Sequence, residues 1–154
     1  MVDVGLTHIA LPVANVEHSI KFYQAYANMQ VVHHRIDAET GMPVVWLSDQ
    51  TRPFVIVLIQ SELVHPVLSA MAHLGVGCRS REALDTLCAR AEQEGRLWRA
   101  PQDSGYPIGY WALLSDPDGH TLELSYGQEV GLATATAAKL PMSSTSDTAG
   151  EINL

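Results

Sequence analysis

The chain repeats itself, and this limits its possible folds more than any other feature. One segment runs HIALPVANVEHSIKFYQAYANM from His8, and a second runs HLGVGCRSREALDTLCARAEQEG from His73. Each opens on a histidine, alternates small with large apolar residues, and passes through a polar breaker into a helical pattern. Their later parts also correspond. WLSDQTRPFVIVLIQ follows the first helical pattern and ALLSDPDGHTLELSYG the second, each with Leu-Ser-Asp, a turn and a strand. Such self-similarity marks a duplicated supersecondary unit that buries one continuous core. The two modules are read as residues 5–60 and 70–127, joined near SELVHPVLSAMA, in a single domain of residues 1–127.

Local signals support that division. Asn15 and Ser80 are good N-cap types, and Glu17 and Glu82, two residues later, put negative charge where a helix start favours it. Val16, Ile20, Tyr23 and Ala27 recur at helical spacing, as do Leu84, Leu87, Cys88 and Ala91, which predicts one apolar stripe per helix. Gly95 suits the C-terminal stop of the second. Residues 128–154 shift to Ala, Thr and Ser and are read as a C-terminal tail, with a partner subunit as its expected anchor.

Composition narrows the partners. With 47% hydrophobic and 17% charged residues the 154-residue chain is globular in type. A net charge of -8 argues against nucleic acid and anionic membrane as partners. The start MVDVGLTHIALPV has neither a basic leader nor a long apolar run, so no membrane span and a cytoplasmic location are expected. Cys78 and Cys88 fit two buried thiols in a reducing compartment better than a disulfide framework.

Alternation along strands points to a site. In THIALPV, His8 shares a face with Ala10 and Pro12; in HLGVGC, His73 shares one with Gly75 and Gly77; in HTLELS, Glu123 shares one with Thr121 and Ser125. Each time a polar ligand type sits among small neighbours while the large apolar residues face the other way. The apolar faces should lie under the helices and the small-residue faces should line a cavity. A bare imidazole or carboxylate there is costly unless paired, and a metal would pair it. Two imidazoles and a carboxylate suit a divalent first-row ion (Fe, Mn, Ni, Co or Zn) with open positions for substrate. The same alternation puts Phe54, Ile56 and Leu58 on the ligand face of the first module. Trp46, Tyr106, Tyr110 and Trp111 come from strands or loops that could border the cavity, although Trp46 and Trp111 could equally pack under the helices. Such a lining suits a small, partly apolar molecule.

HIALPVANVEHSIKFY and SDPDGHTLELS resemble the vicinal oxygen chelate superfamily, which includes glyoxalase I, extradiol dioxygenases, fosfomycin-resistance enzymes and bleomycin-resistance proteins. The resemblance spans roughly residues 5–127. It implies an α+β fold in which two βαβββ modules form a curved mixed sheet around one metal, with helices on the outer face. It further implies His8, His73 and Glu123 as ligands of one divalent metal, a small-molecule substrate and a homodimer. Two departures bear on the reaction. Aligning the two Leu-Ser-Asp segments puts Ile56 where glyoxalase I carries a further carboxylate ligand. Leu113 stands where extradiol dioxygenases place a tyrosine, and QDSGYPIGYW contains no histidine. The reading that results is a metal-dependent, glyoxalase-like lyase or isomerase with Glu123 as the metal-bound base. The alternatives are a ring-cleaving or other non-haem dioxygenase, and a bleomycin-resistance-like protein that binds a small molecule without turnover.

Overall fold

The computed structural model describes residues 5–69, 71–128 and 130–131. The expected tail therefore lies almost wholly outside the described residues. Each module runs strand, helix, three strands: β1 (His8–Val13), α1 (Val16–Ala27), β2 (Gln30–Ile36), β3 (Pro43–Ser48) and β4 (Val55–Gln60), then β5 (Leu74–Gly77), α2 (Arg81–Gln93), β6 (Leu97–Asp103), β7 (Tyr110–Ser115) and β8 (Thr121–Tyr126). The duplicated βαβββ unit read from the sequence is the fold. Each module contributes one half of the expected mixed sheet. Within the chain these halves are two four-stranded sheets, ordered β1-β4-β3-β2 and β5-β8-β7-β6. In each, the first strand pairs parallel with the last and the other pairs are antiparallel. The histidine-bearing ends of both modules thus sit at sheet edges. Among the described residues no helix is long and apolar enough to cross a membrane.

The helix ends follow their caps. The Asn15 side chain accepts from the His18 N–H at 3.0 Å, and the Ser80 hydroxyl accepts from the Ala83 N–H at 3.2 Å. At the far end of α2, Gly95 takes φ 67°, its N–H reaches the Glu92 carbonyl, and the Arg96 N–H reaches that of Ala91. That pair of bonds is a Schellman stop, which needs a left-handed residue. In α1 the same place is held by Asn28 at φ 52°, with the Met29 N–H bonded to the Tyr23 carbonyl.

One hydrophobic core serves both modules. Leu11, Val13, Val45, Leu47, Ile56 and Leu58 pack against Phe22, Tyr23 and Tyr26 of α1, and Ala112, Leu114, Leu122 and Leu124 against Leu84, Cys88 and Ala91 of α2, in a single cluster. A fully buried leucine here contributes roughly 1.5–3 kcal/mol, so this shared cluster dominates the stability of the fold.

Polar groups fix how the modules meet. The Asp-Pro-Asp-Gly-His turn before β8 inserts beside the start of α1. Asp116, 2% exposed, accepts from the Tyr23 hydroxyl at 3.0 Å and from the N–H groups of Asp118 and His120. Burial raises the Asp116 carboxyl above its ordinary value, and burial beside it pushes the Tyr23 hydroxyl well above the usual range for a phenol. Asp118 accepts from the Ala14 N–H at 2.9 Å. His120, fully buried, accepts from the Leu68 N–H at Nδ1, so its Nε2–H donates to the Pro12 carbonyl at 2.9 Å. The turn joins the strand of His8 to the strand of Glu123.

Candidate metal centre

His73 and Glu123 meet on the face of the second sheet that points away from α2. Gly75 stands opposite Glu123 in the β5–β8 register, so the carboxylate projects beside a position with no side chain. His73 Nε2 lies 3.4 Å from Glu123 Oε2. The other ring nitrogen, Nδ1, lies 2.9 Å from the Met71 carbonyl oxygen. A carbonyl can only accept, so Nδ1 carries the proton and Nε2 of the neutral ring presents a lone pair. Two electron-rich atoms then face each other, an arrangement that needs a second proton or a cation between them. Glu123 is 8% exposed, and its Oε1 accepts from the Gln128 amide at 3.4 Å. No Lys or Arg lies within ion-pair distance of it among the described residues. A nearly buried carboxylate without a cationic side chain is costly, and the donor set of imidazole nitrogen and carboxylate oxygen fits a divalent metal.

His8 does not join them within one chain. It is exposed at the start of β1, where Nδ1 lies 3.0 Å from the Thr7 hydroxyl and leaves Nε2 free to point elsewhere. Among the described residues no three His, Cys, Asp or Glu side chains are grouped to hold a metal. The parity argument therefore holds for the face each residue occupies, and a single chain brings together two of the three.

The register corrects the first module's half of the site. His8 pairs with Val55, Ala10 with Val57 and Pro12 with Ile59, so Val55, Val57 and Ile59 share the histidine's face. Ile56 and Leu58 pair with Ile9 and Leu11, turn under the helix, and are 2% and 0% exposed. Phe54 and Ile56 instead line the crevice between the modules. The counterpart of Glu123, opposite Gly75, is accordingly Val57, opposite Ala10, and not Ile56. Valine cannot ligate, so the absence of a second carboxylate at this place stands.

The aromatic residues divide. Trp111 pairs with Ser125 and Leu113 with Glu123, which puts both on the ligand face of the second sheet. Trp46 pairs with Val57 on the corresponding face of the first, with the His33 ring 4.9 Å away. Neither tryptophan packs under a helix. Tyr110 lies on the opposite face, its hydroxyl donating to Asp85 of α2 at 2.7 Å. Tyr106 is 75% exposed in the loop before β7. Reading the sequence did not single out Gln128, Arg99 or the Met71 carbonyl. Arg99, beside Trp98 and across from Leu113, could have been found only once the β6–β7 register was known.

The family described as Glyoxalase/Bleomycin resistance protein/Dioxygenase superfamily matches residues 5–124. An uncharacterized protein of Pseudomonas aeruginosa is 38% identical over 129 residues, covering 82% of this chain and 91% of its own length. Among solved structures, the fosfomycin resistance protein FosX of Listeria monocytogenes, complexed with Mn(II) and 1S,2S-dihydroxypropylphosphonic acid, superimposes with a TM-score of 0.67 at 16% identity, covering 86% of this chain and 98% of FosX. Leishmania major glyoxalase I does so with a TM-score of 0.65 at 22% identity, covering 88% and 95%. At these identities the structural matches speak for the fold. Together with the duplicated modules, the match over residues 5–124 places the chain in the Glyoxalase/Bleomycin resistance protein/Dioxygenase superfamily.

Proposed function

We propose that the protein is a divalent-metal-dependent enzyme of glyoxalase-like lyase or isomerase type, acting on a small, partly apolar substrate that chelates through two oxygens. His73 and Glu123 of one copy and His8 of a second copy would hold the metal. The observation that carries this reading is that His73 Nε2 and Glu123 Oε2 face each other at 3.4 Å while Nδ1 of the same ring is committed to the Met71 carbonyl. The two-copy arrangement is supported by the strand order. β1 and β5 each end their sheet, and a second copy laid edge to edge would bring its His8 beside β5. The ligand face of the first sheet also exposes Trp46 and Ile59, 40% each, as a surface that association would cover.

A bound metal supplies Lewis-acid polarisation of the chelated oxygens and stabilises the anion that forms next to them. The residues do the rest. With Val57 in the place of a second carboxylate, Glu123 is, among the described residues, the carboxylate of this face that would take a proton from carbon and return it at Oε1 or Oε2. Met71 keeps the His73 ring in one tautomer, and Gln128 steadies the carboxylate by donating to Oε1. Leu113 and Trp111 give the apolar part of a substrate a surface that excludes water.

The test is metal uptake followed by turnover. Protein stripped with a chelator and offered Fe, Mn, Ni, Co and Zn should take up one equivalent per chain of at least one of them, and the Mn(II) of the FosX complex gives an ion to try first. Loaded protein should then turn over hemithioacetals of 2-oxoaldehydes in preference to catechols. A preparation that binds none of the five ions ends the proposal. One that binds metal yet turns over neither class, nor epoxides, leaves ligand capture as the function.

A further inference from the structure

We propose that the recess between α1 and α2 is a second binding site, one that takes a phosphate group, free or carried by a small organic ester. It stands independently of any reaction at the metal centre. Its walls include His18, Lys21 and Phe22 of α1, Arg90 of α2, the α2 cap Glu94, and Arg96 just past the helix stop. The volume is about 330 Å³, at the lower end of the roughly 300–1,000 Å³ usual for small-molecule sites. A phosphate with a short organic body suits that size. His73 and Glu123 lie on the face of the second sheet that points away from α2, so the recess and the candidate metal centre are on opposite sides of that sheet.

The charge in the recess runs against that of the chain as a whole. The net charge is -8, yet three of the nine lysines and arginines, Lys21, Arg90 and Arg96, meet here against a single carboxylate, Glu94. That carboxylate is already engaged. Its oxygens face Arg90 Nε at 2.8 Å, Arg96 Nε at 3.8 Å and the Tyr26 hydroxyl at 2.8 Å. The bond from Arg90, then that from Tyr26, holds the Glu94 carboxyl below its ordinary value, so it stays ionised and keeps both guanidiniums in position. Aromatic rings fix them from the other side. The Arg90 guanidinium lies 5.3 Å from the centre of the Tyr26 ring, and that of Arg96 lies 5.7 Å from that of Phe22. The Arg96 backbone is tied as well, donating to the Ala91 carbonyl and accepting from the Ser115 N–H. Both guanidiniums approach the carboxylate through Nε, and among the described residues their terminal nitrogens make no hydrogen bond. Nor does Lys21 form an ion pair among those residues. Two preset arginine forks and an ammonium therefore present more positive charge than Glu94 balances. A phosphate group, with about −1.5 to −2 charge and three acceptor oxygens near neutral pH, matches that surplus, whereas a carboxylate meets only part of it.

The test is isothermal titration calorimetry on the full-length protein, stripped with a chelator so that no phosphate is held by a metal. Inorganic phosphate, glycerol 3-phosphate, acetate and glycerol are titrated in turn. At least one of the two phosphates should bind saturably and at least about tenfold more tightly than acetate, with glycerol silent. Tighter binding of the ester identifies an organic phosphate as the ligand, and binding of inorganic phosphate as tight or tighter identifies the free ion. Lys21→Gln and Arg96→Gln should each weaken the phosphate at least about fivefold. Lys21 is exposed, so its variant should keep the parental unfolding midpoint and show that the loss is local. Arg99→Gln removes the same charge from the ligand face of the second sheet and should bind phosphate as the parent does. No saturable phosphate binding, acetate bound as tightly as phosphate, or a Lys21→Gln variant that binds like the parent overturns the proposal. So does an Arg99→Gln variant as weak as Lys21→Gln, because net charge alone would then account for the binding.

Discussion

His120 Nε2 donates to the carbonyl oxygen of Pro12 across 2.9 Å, while Nδ1 of the same ring accepts from the Leu68 N–H. This buried imidazole connects the strand that begins with His8 to the strand that carries Glu123, and it does so without touching either. Replacing it with alanine leaves a part-buried donor and a part-buried acceptor unmet and opens a cavity. His120→Ala should therefore cost about 3–5 kcal/mol of stability in urea denaturation. His120→Gln, whose amide can both donate and accept, should cost less.

Gly75 gives a more selective probe. A Cβ built there would lie 3.9 Å from Glu123 Oε1, so alanine fits and bulk beyond it presses on the carboxylate. Gly75→Val should lower metal affinity at least about tenfold in a calorimetric titration. Its unfolding midpoint should stay level or rise, because a β-branched residue suits a strand better than glycine. Gly75→Ala should keep the parental affinity.

Alkaline pH should loosen the fold. Burial, then the hydrogen bond to Glu94, pushes the Tyr26 hydroxyl from 10.0 up to about 12. Burial, then the nearby Asp85, pushes the Cys88 thiol from 9.0 up to about 11. Both folded values exceed the unfolded ones, so the stability these neutral groups contribute is complete below about pH 9 and is lost as pH rises through 11 and 12. The melting temperature should hold up to pH 9 and fall steadily above it. In Tyr26→Phe that fall should be shallower, and the native protein should show its tyrosinate absorbance late.

The parts of this fold that could be read from the sequence were set by local chemistry. Asn15 and Ser80 cap the two helices as their side chains suggest, and Gly95 ends the second because a left-handed stop favours glycine. Asn28, which ends the first, carries the weaker form of the same signal. The faces of His8, His73 and Glu123 follow from alternation alone.

What alternation cannot supply is phase between strands. Aligning the two Leu-Ser-Asp segments pairs Ile56 with Glu123, but the connection from Asp49 to Val55 is one residue longer than that from Asp116 to Thr121. One residue turns a strand over, which sends Ile56 and Leu58 into the core and brings Val57 to the ligand face. Tyr110 and Trp111 are neighbours in β7 and so cannot share a face. The choice between them was made by the strand's pairing with β8. The separation of His8 from His73 and Glu123 within one chain is set by the order of the strands, which alternation does not carry either.

Metal content in mixed variants tests the central claim most directly. His8→Ala and Glu123→Gln, each purified and exposed to excess Mn(II), should retain little metal. Unfolded together, refolded and reloaded, they should recover about a quarter of the parental content, since half of the dimers are mixed and each mixed dimer regains one of two shared sites. A mixture that holds no more metal than its components, or single variants that bind metal as the parent does, contradicts the account.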